Sequence, residues 1–210
     1  MQTKGLLITL EGGEGGGKTT QIQKLKERCI AAGKDVIALR EPGGTAISEQ
    51  IREMVLTEKH NGVIGETTEV LLFQSARAQI YHEVVLPALA AGKIVLIDRS
   101  RDSSVVYQGI VRNFGKDLIE QLNDVSTQKT YPDITFLLDV PVEIGLQRKN
   151  DTGENNRFEM ENAEFHEQVR QAYLTLAKEN SHNRWQIIDC TQSVEAVSDQ
   201  LWQQLQNKLA

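Results

Sequence analysis

Residues 12–19 read Gly12-Gly13-Glu14-Gly15-Gly16-Gly17-Lys18-Thr19, the spacing G-x-x-x-x-G-K-[ST], and Thr20 extends it. An apolar stretch, Leu6 to Leu10, precedes this run. A polar helix-forming segment with Ile22, Leu25 and Cys29–Ile30 on one face follows it. Strand, glycine-rich loop, then helix is the context in which such a run becomes a phosphate cradle rather than a flexible turn. The glycines let successive backbone N–H groups point inward at the positive end of a helix, making an anion nest. Lys18 is placed to reach the β- and γ-phosphates of a nucleoside triphosphate, and the Thr19 hydroxyl to ligate Mg²⁺.

Three further clusters extend that chemistry. Arg40-Glu41-Pro42-Gly43-Gly44-Thr45 joins a strand to a helix carrying Arg52, a turn where open α/β sheets bind ligands. The apolar run Ile94–Ile97 ends in Asp98-Arg99. A carboxylate at a strand end is how Mg²⁺ is met, usually through water, and a guanidinium beside it can grip a second phosphate bidentately. In Phe73-Gln74-Ser75-Ala76-Arg77, Phe73 and Arg77 stand i and i+4 on one helix face. A ring to stack on a base beside a donor for the base edge suits nucleobase recognition. A solvated ion pair in the turn, a strand-end cap at Asp98 and a core role for Phe73 are the plain structural alternatives. Two anion sites on one sheet edge make phosphoryl transfer between them the economical reading.

These groups need a scaffold, and its elements are legible. Strand-like runs at Leu6–Leu10, Val36–Leu39, Ile94–Asp98, Ile134–Leu138 and Gln186–Ile188 alternate with long helical patterns, predicting an α/β protein with a parallel sheet. Val36–Leu39 and Ile94–Ile97 are apolar at consecutive positions, as strands covered on both faces are. Thr67–Ala91 is the longest helical pattern, with Val70-Leu71, Gln74, Ala78, Tyr81-His82, Val85 and Leu89 on one face. Pro87 is expected to kink it or begin its last turn. Asn150–Asn156 is polar and rich in turn formers.

The 210 residues are expected to form one domain. The net charge of −6 argues against broad nucleic-acid binding. No run approaches a membrane span and no signal-peptide core is legible, so a cytoplasmic protein is expected. Cys29 and Cys190 are read as small buried residues, and His60, His82, His166 and His182 as surface or half-buried side chains without metal-ligand spacing.

The chain resembles the thymidylate kinase family. The residues that carry the resemblance are Glu11-Gly12, Glu14-Gly15, Gly17-Lys18-Thr19-Thr20, Arg40-Glu41-Pro42-Gly43-Gly44-Thr45, Leu72-Phe73, Ala76-Arg77-Ala78, Asp98-Arg99, Ser103-Ser104, Tyr107-Gln108-Gly109 and Pro132-Asp133. The resemblance implies a P-loop NTPase three-layer α/β/α fold with a five-stranded parallel sheet over residues 1–210, a short lid near 147–158, and a homodimer. It implies transfer of the ATP γ-phosphate to dTMP with Mg²⁺. Phe73 would stack on thymine, Arg77 and Ser104 would bond its edge, Tyr107 would pack on the deoxyribose, and Gln108 would lie nearby. Arg52 and Arg99 would hold the acceptor phosphate, Glu14 would face the acceptor sugar or a water, and Glu41, Pro42 and Ser103 would complete that side. Gly12 to Thr20 would hold the triphosphate, with Thr19 and Asp98 serving Mg²⁺. Arg148 would pack on adenine, with Cys190 and Gln192 at its other side.

The family places a catalytic arginine in the phosphate loop or in the lid. The loop position here is Gly15, which excludes the first arrangement. The lid segment has Arg148, Lys149 and Arg157 as its cations, with Asp151 and Glu154 of opposite sign. With Arg148 on adenine, Lys149 or Arg157 is left to supply transition-state charge. Ser100-Arg101 is a second departure; Arg101 is expected to face solvent or reinforce the acceptor-phosphate site. Two other readings stand: a kinase for another deoxynucleotide or nucleoside, and a catalytically weak nucleotide-binding member.

Overall fold

A computed structural model describes residues 5–57, 60, 62–150, 158 and 161–209. In chain order these form β1 (Leu6–Glu11), α1 (Lys18–Ala31), β2 (Val36–Arg40), α2 (Ala46–Leu56), α3 (Glu66–Ile80), a π-turn (Tyr81–Val85), α4 (Leu86–Ala90), β3 (Ile94–Asp98) and α5 (Arg101–Ser104). A second π segment (Val105–Val111), α6 (Lys116–Ser126), β4 (Ile134–Asp139), α7 (Val142–Asn150), α8 (Ala163–Glu179), β5 (Trp185–Asp189) and α9 (Val194–Leu209) follow. The strands make one parallel sheet in the order β2-β3-β1-β4-β5. All five predicted strands are present.

The order puts β1 at the centre, with the chain passing to β3 on one side and β4 on the other. The crevice beyond the carboxyl end of β1 is therefore the switch point of the sheet, where open α/β sheets bind ligands. Leu7, Ile8 and Leu10 of β1 are buried on both faces, under α1 and α9 on one side and the α3–α4 rod on the other. A strand this well covered presents its last residue, Glu11, and the loop after it at a fixed position.

Two expectations are corrected here. β2 is an edge strand, so its apolar run is only half-buried, whereas Ile94–Ile97 of β3 is fully enclosed. The predicted helix over Thr67–Ala91 is one rod, but its buried face is Val70, Gln74, Ala76, Arg77 and Ile80. Leu71, Ala78 and His82, assigned to that face, are exposed. Val70, Gln74, Tyr81 and Val85 lie inward as expected, and Arg77 joins them because buried partners satisfy it, which apolar periodicity does not register. The π-turn lies just ahead of Pro87, which sits in the first turn of α4. Proline has no N–H to donate and crowds the carbonyl four residues back, and a wider turn relieves both.

Candidate active site

A cleft of about 1300 Å³ runs along the carboxyl ends of β1, β2 and β3, from the phosphate loop to the Phe73–Arg77 helix face. It is lined by Gly15 to Thr20 and by Glu41, Pro42, Arg52, Phe73, Arg77, Asp98, Arg99, Ser103, Ser104, Tyr107 and Gln108. Arg148, Lys149, Cys190 and Gln192 line its other end. The expected donor and acceptor residues thus share one continuous space. Arg157 lies outside the described residues.

The loop follows from glycine's conformational freedom at two positions. Gly15 has φ +68°, and a Cβ there would lie 2.1 Å from the Gly145 carbonyl oxygen of α7. Any side chain at position 15 would push the loop off α7, so Gly15 is required sterically by this neighbour. Gly17, at φ +80°, turns the chain into α1, with Lys18 as its first residue.

Lys18 Nζ donates to the carbonyls of Gly13 at 2.7 Å and Gly12 at 3.3 Å. Gly12 and Gly13 do not line the cleft; their carbonyls hold the cations that do. Burial and the Arg99 guanidinium both weaken the hold of Lys18 on its proton. Burial, Arg40 and Arg99 act the same way on Arg52. Lys18 and Arg52 are crowded by a third cation, Arg99, which Glu14 offsets only in part, and a phosphate placed among them would relieve the repulsion.

Glu14 and Arg99 pair at 2.6 Å, and Arg99 Nη1 also donates to Gly12 O at 2.9 Å. Burial alone would raise the Glu14 carboxyl, but Arg99, Lys18 and Lys149 overcome it and hold Glu14 below the usual carboxylate range. Thr19 Oγ1 donates to Asp98 Oδ2 at 2.8 Å, which sets a hydroxyl beside a carboxylate at the mouth of the loop. Those oxygen donors fit Mg²⁺ chemically. Among the described residues no group of three or more His, Cys, Asp and Glu could hold a metal ion. The site therefore suits an ion that takes its remaining ligands from phosphate and water.

At the acceptor end Arg77 is tied down almost completely. Nε donates to Glu41 Oε2 at 2.7 Å, and Nη1 to Ser104 Oγ at 3.0 Å and Asn123 Oδ1 at 2.8 Å. Nη2 donates to Ser100 O at 3.0 Å. Four of its five N–H groups are engaged, which holds the guanidinium rigid at the cleft wall and leaves one Nη2 hydrogen to offer. Arg52 Nη1 donates to Pro42 O at 2.8 Å, and Gln108 Nε2 to the buried Glu69 at 2.7 Å. Phe73 and Tyr107 flank Phe158, with ring centroids at 6.0 and 5.8 Å, and the Arg99 guanidinium lies 5.4 Å from the Tyr107 ring. At the donor end Arg148 Nη1 donates to Cys190 O at 2.8 Å. Cys29 and Cys190 are both free and buried, as expected.

Sequence reasoning missed Asn123, Phe158, Glu11 and Tyr173. Phe158 sits in a polar run whose neighbours give no periodicity, and the others act through partners far away in sequence. Two expectations fail. Arg101 neither faces solvent nor approaches the acceptor phosphate: it is fully buried, 3.9 Å from the Tyr131 ring and bonded to Glu120 and Asp124. Its neighbour Asp102 is buried against Arg184 at 2.6 Å, so opposite charges anchor α5 on either side. His166 is buried rather than half-buried.

The comparisons with known proteins agree with this geometry. The family model described as thymidylate kinase matches residues 10–201. A thymidylate kinase of Geobacter sulfurreducens is 44% identical over 98% of this chain and 98% of its own length. One of Acinetobacter baylyi is 43% identical over 96% and 98%. The crystal structure of thymidylate kinase from Ehrlichia chaffeensis superposes with a TM-score of 0.77, at 31% identity, over 96% of this chain and 99% of that one. With a family model across most of its length and relatives matched nearly end to end, this chain belongs to the thymidylate kinase family.

Proposed function

We propose that the protein transfers the γ-phosphate of ATP to dTMP, giving ADP and dTDP, and that residues 1–210 act as one catalytic unit. The observation that carries this reading is the single cleft in which the Lys18–Thr19 loop faces the Phe73–Arg77 pocket across Arg52 and Arg99. The attacking atom is already an anionic phosphate oxygen, so the protein needs to align it and offset charge rather than supply a strong base.

In this scheme the Gly12–Thr20 loop and Lys18 hold the donor phosphates, with Arg148, Cys190 and Gln192 about the adenine. Thr19 and Asp98 would hold Mg²⁺, which when bound supplies positive charge to the phosphate oxygens. Phe73 stacks on thymine, and Arg77 and Ser104 meet its edge. Tyr107 packs on the deoxyribose, while Glu41, Pro42, Ser103 and Gln108 shape the surrounding wall. Arg52 and Arg99 hold the acceptor phosphate, and Glu14, paired with Arg99, faces the acceptor sugar or a water. Lys149 lines the cleft and its charge is felt at Glu14, which favours it as the transition-state cation, with Arg157 as the alternative. A cytoplasmic homodimer completes the reading.

A coupled assay of dTMP-dependent ADP formation tests the activity. Lys18→Ala is expected to lower turnover at least about a hundredfold. A panel of acceptors tests specificity: faster turnover of dGMP or thymidine than of dTMP would overturn the choice of substrate, and ATP binding without ADP formation would mark a non-catalytic member. Lys149→Ala and Arg157→Ala test the lid, and unchanged kcat in both would remove these two residues from the mechanism.

A further inference from the structure

Three consecutive residues at the end of β1 grip the Arg99 turn. Leu10 O accepts from Arg99 N at 2.9 Å, Glu11 Oε1 from Ser100 N at 2.8 Å, and Gly12 O from Arg99 Nη1 at 2.9 Å. Arg99 stands at φ +60°, a conformation that a non-glycine residue holds only when its surroundings over-determine it. The middle grip is a side chain, and it is a carboxylate with no solvent exposure. Its other oxygen, Oε2, accepts from Ser103 Oγ at 2.6 Å and Tyr173 Oη at 2.9 Å, and those two hydroxyls are 2.7 Å apart. Glu11 does not line the cleft, so it touches no substrate.

We propose that Glu11 is a positioning residue for the acceptor-phosphate arm, its buried carboxylate fixing Arg99 by holding the Ser100–Ser103 turn to β1 and to Tyr173 of α8. This rests on the kinase reading above.

The three oxygens Glu11 Oε2, Ser103 Oγ and Tyr173 Oη are mutually within hydrogen-bond distance and share two hydroxyl protons when Glu11 is ionised. A third proton, on Glu11, closes the ring and turns the hydroxyls about, which loosens the negative end of the grip. Asp102 of α5 and Arg99 of the turn face the carboxyl with opposite effects. Tyr173 of α8, Tyr107 of the π segment and Lys18 of α1 are the other titratable groups around it. Burial and Asp102 outweigh the hydroxyls and Arg99 and push its pKa up to about 7. A glutamine keeps the Oε1 acceptor for Ser100, but its Nε2 donates and cannot accept, so Glu11→Gln is uncharged at every pH and withdraws the acceptor that Ser103 and Tyr173 share.

The test is steady-state kinetics of wild type, Glu11→Gln and Tyr173→Phe at pH 6 and pH 8, with thermal melts of each. At pH 8, Glu11→Gln is expected to raise KM for dTMP about tenfold or more while KM for ATP stays within about twofold. At pH 6, where Glu11 is mostly protonated in wild type, the gap is expected to narrow. The melt of Glu11→Gln at pH 8 is expected at or above that of wild type, because the variant removes a buried charge. Tyr173→Phe, which deletes one donor, is expected to shift KM for dTMP in the same direction by a smaller factor. An unchanged dTMP KM in Glu11→Gln, equal changes in both KM values, or a melt well below wild type overturns the proposal. Wild type without dTMP-dependent ADP formation rejects the kinase reading instead, and this inference falls with it.

Discussion

An ionised Glu11 sits where burial opposes it, and that opposition has a readable sign. Burial and Asp102 push its pKa up from the usual 4.5 to about 7, so the folded state holds this proton more tightly than the unfolded chain. The stabilisation this gives is present in full below pH 4.5 and is lost as pH rises through 7. Glu11→Gln carries no such term. Its stability relative to wild type is therefore expected to increase by about 2 kcal/mol between pH 5.5 and pH 8, read by urea titration of both proteins at each pH. Differencing the two proteins cancels other titrating groups; a gap that stays constant or narrows with pH contradicts the assignment. The buried pair Arg77–Glu41 works oppositely. With both side chains at most 3% exposed, Arg77→Ala leaves Glu41 uncompensated and is expected to destabilise the fold by about 3–5 kcal/mol. Adding Glu41→Gln should recover part of that loss, and a strictly additive double variant would show the two are not coupled. The residues that touch ligands in such a site are legible from sequence because their types announce chemistry. Asn123, Tyr173 and the partners of Arg101 are not, because each gains its role from a contact across 19 or more positions.

The strands were readable because apolar runs bounded by charges and glycines have few other homes, and the α/β alternation allows only a parallel sheet. What sequence could not convey was the side of each element that meets something. β2 carries a core-like run yet lies at the edge, and α3 turns polar Arg77 inward while Leu71 faces out. The phosphate loop and α7 show the same limit. Gly15 reads as one more loop glycine, but its closest neighbour is Gly145, and a Cβ on Gly145 would lie 2.4 Å from Glu14 O. Two glycines back to back seat the loop on the helix that carries Arg148 and Lys149. Gly145→Ala probes this contact without straining a left-handed turn, since no positive φ is required there. Helix propensity alone would make the change favourable by up to about 1 kcal/mol. The seat predicts the reverse: a lower melting temperature and a KM for ATP raised about tenfold, with KM for dTMP little changed. A more stable Gly145→Ala with unaltered ATP kinetics would mean that loop and helix need not touch.

On the scale of the molecule, two ligand sites at one sheet edge should report separately on the folded state. A ligand that binds only the native protein adds about 2.7 kcal/mol at a hundred times its Kd, and for a chain of this length 1 kcal/mol moves Tm by about 2–4 °C. Saturating dTMP and a non-hydrolysable ATP analogue with Mg²⁺ are each expected to raise Tm by about 5–11 °C. Phe73→Ala removes the face on which thymine would stack but lies away from the Lys18 loop, so it should abolish the dTMP shift and leave the nucleotide shift intact. Lys18→Ala should do the converse. Loss of both shifts in either variant would mean that the cleft behaves as one site rather than two, and the transfer scheme would need a different geometry. The same melts bear on assembly: α2 and α3 leave Ile47, Met54 and Leu71 exposed. If that face closes a homodimer, Tm rises with protein concentration, because association stabilises the native state by mass action. Leu71→Glu would then remove the concentration dependence while sparing both ligand shifts. A Tm independent of concentration across a hundredfold range, with a monomer mass in solution, would discard the dimer and leave the two-site reading untouched.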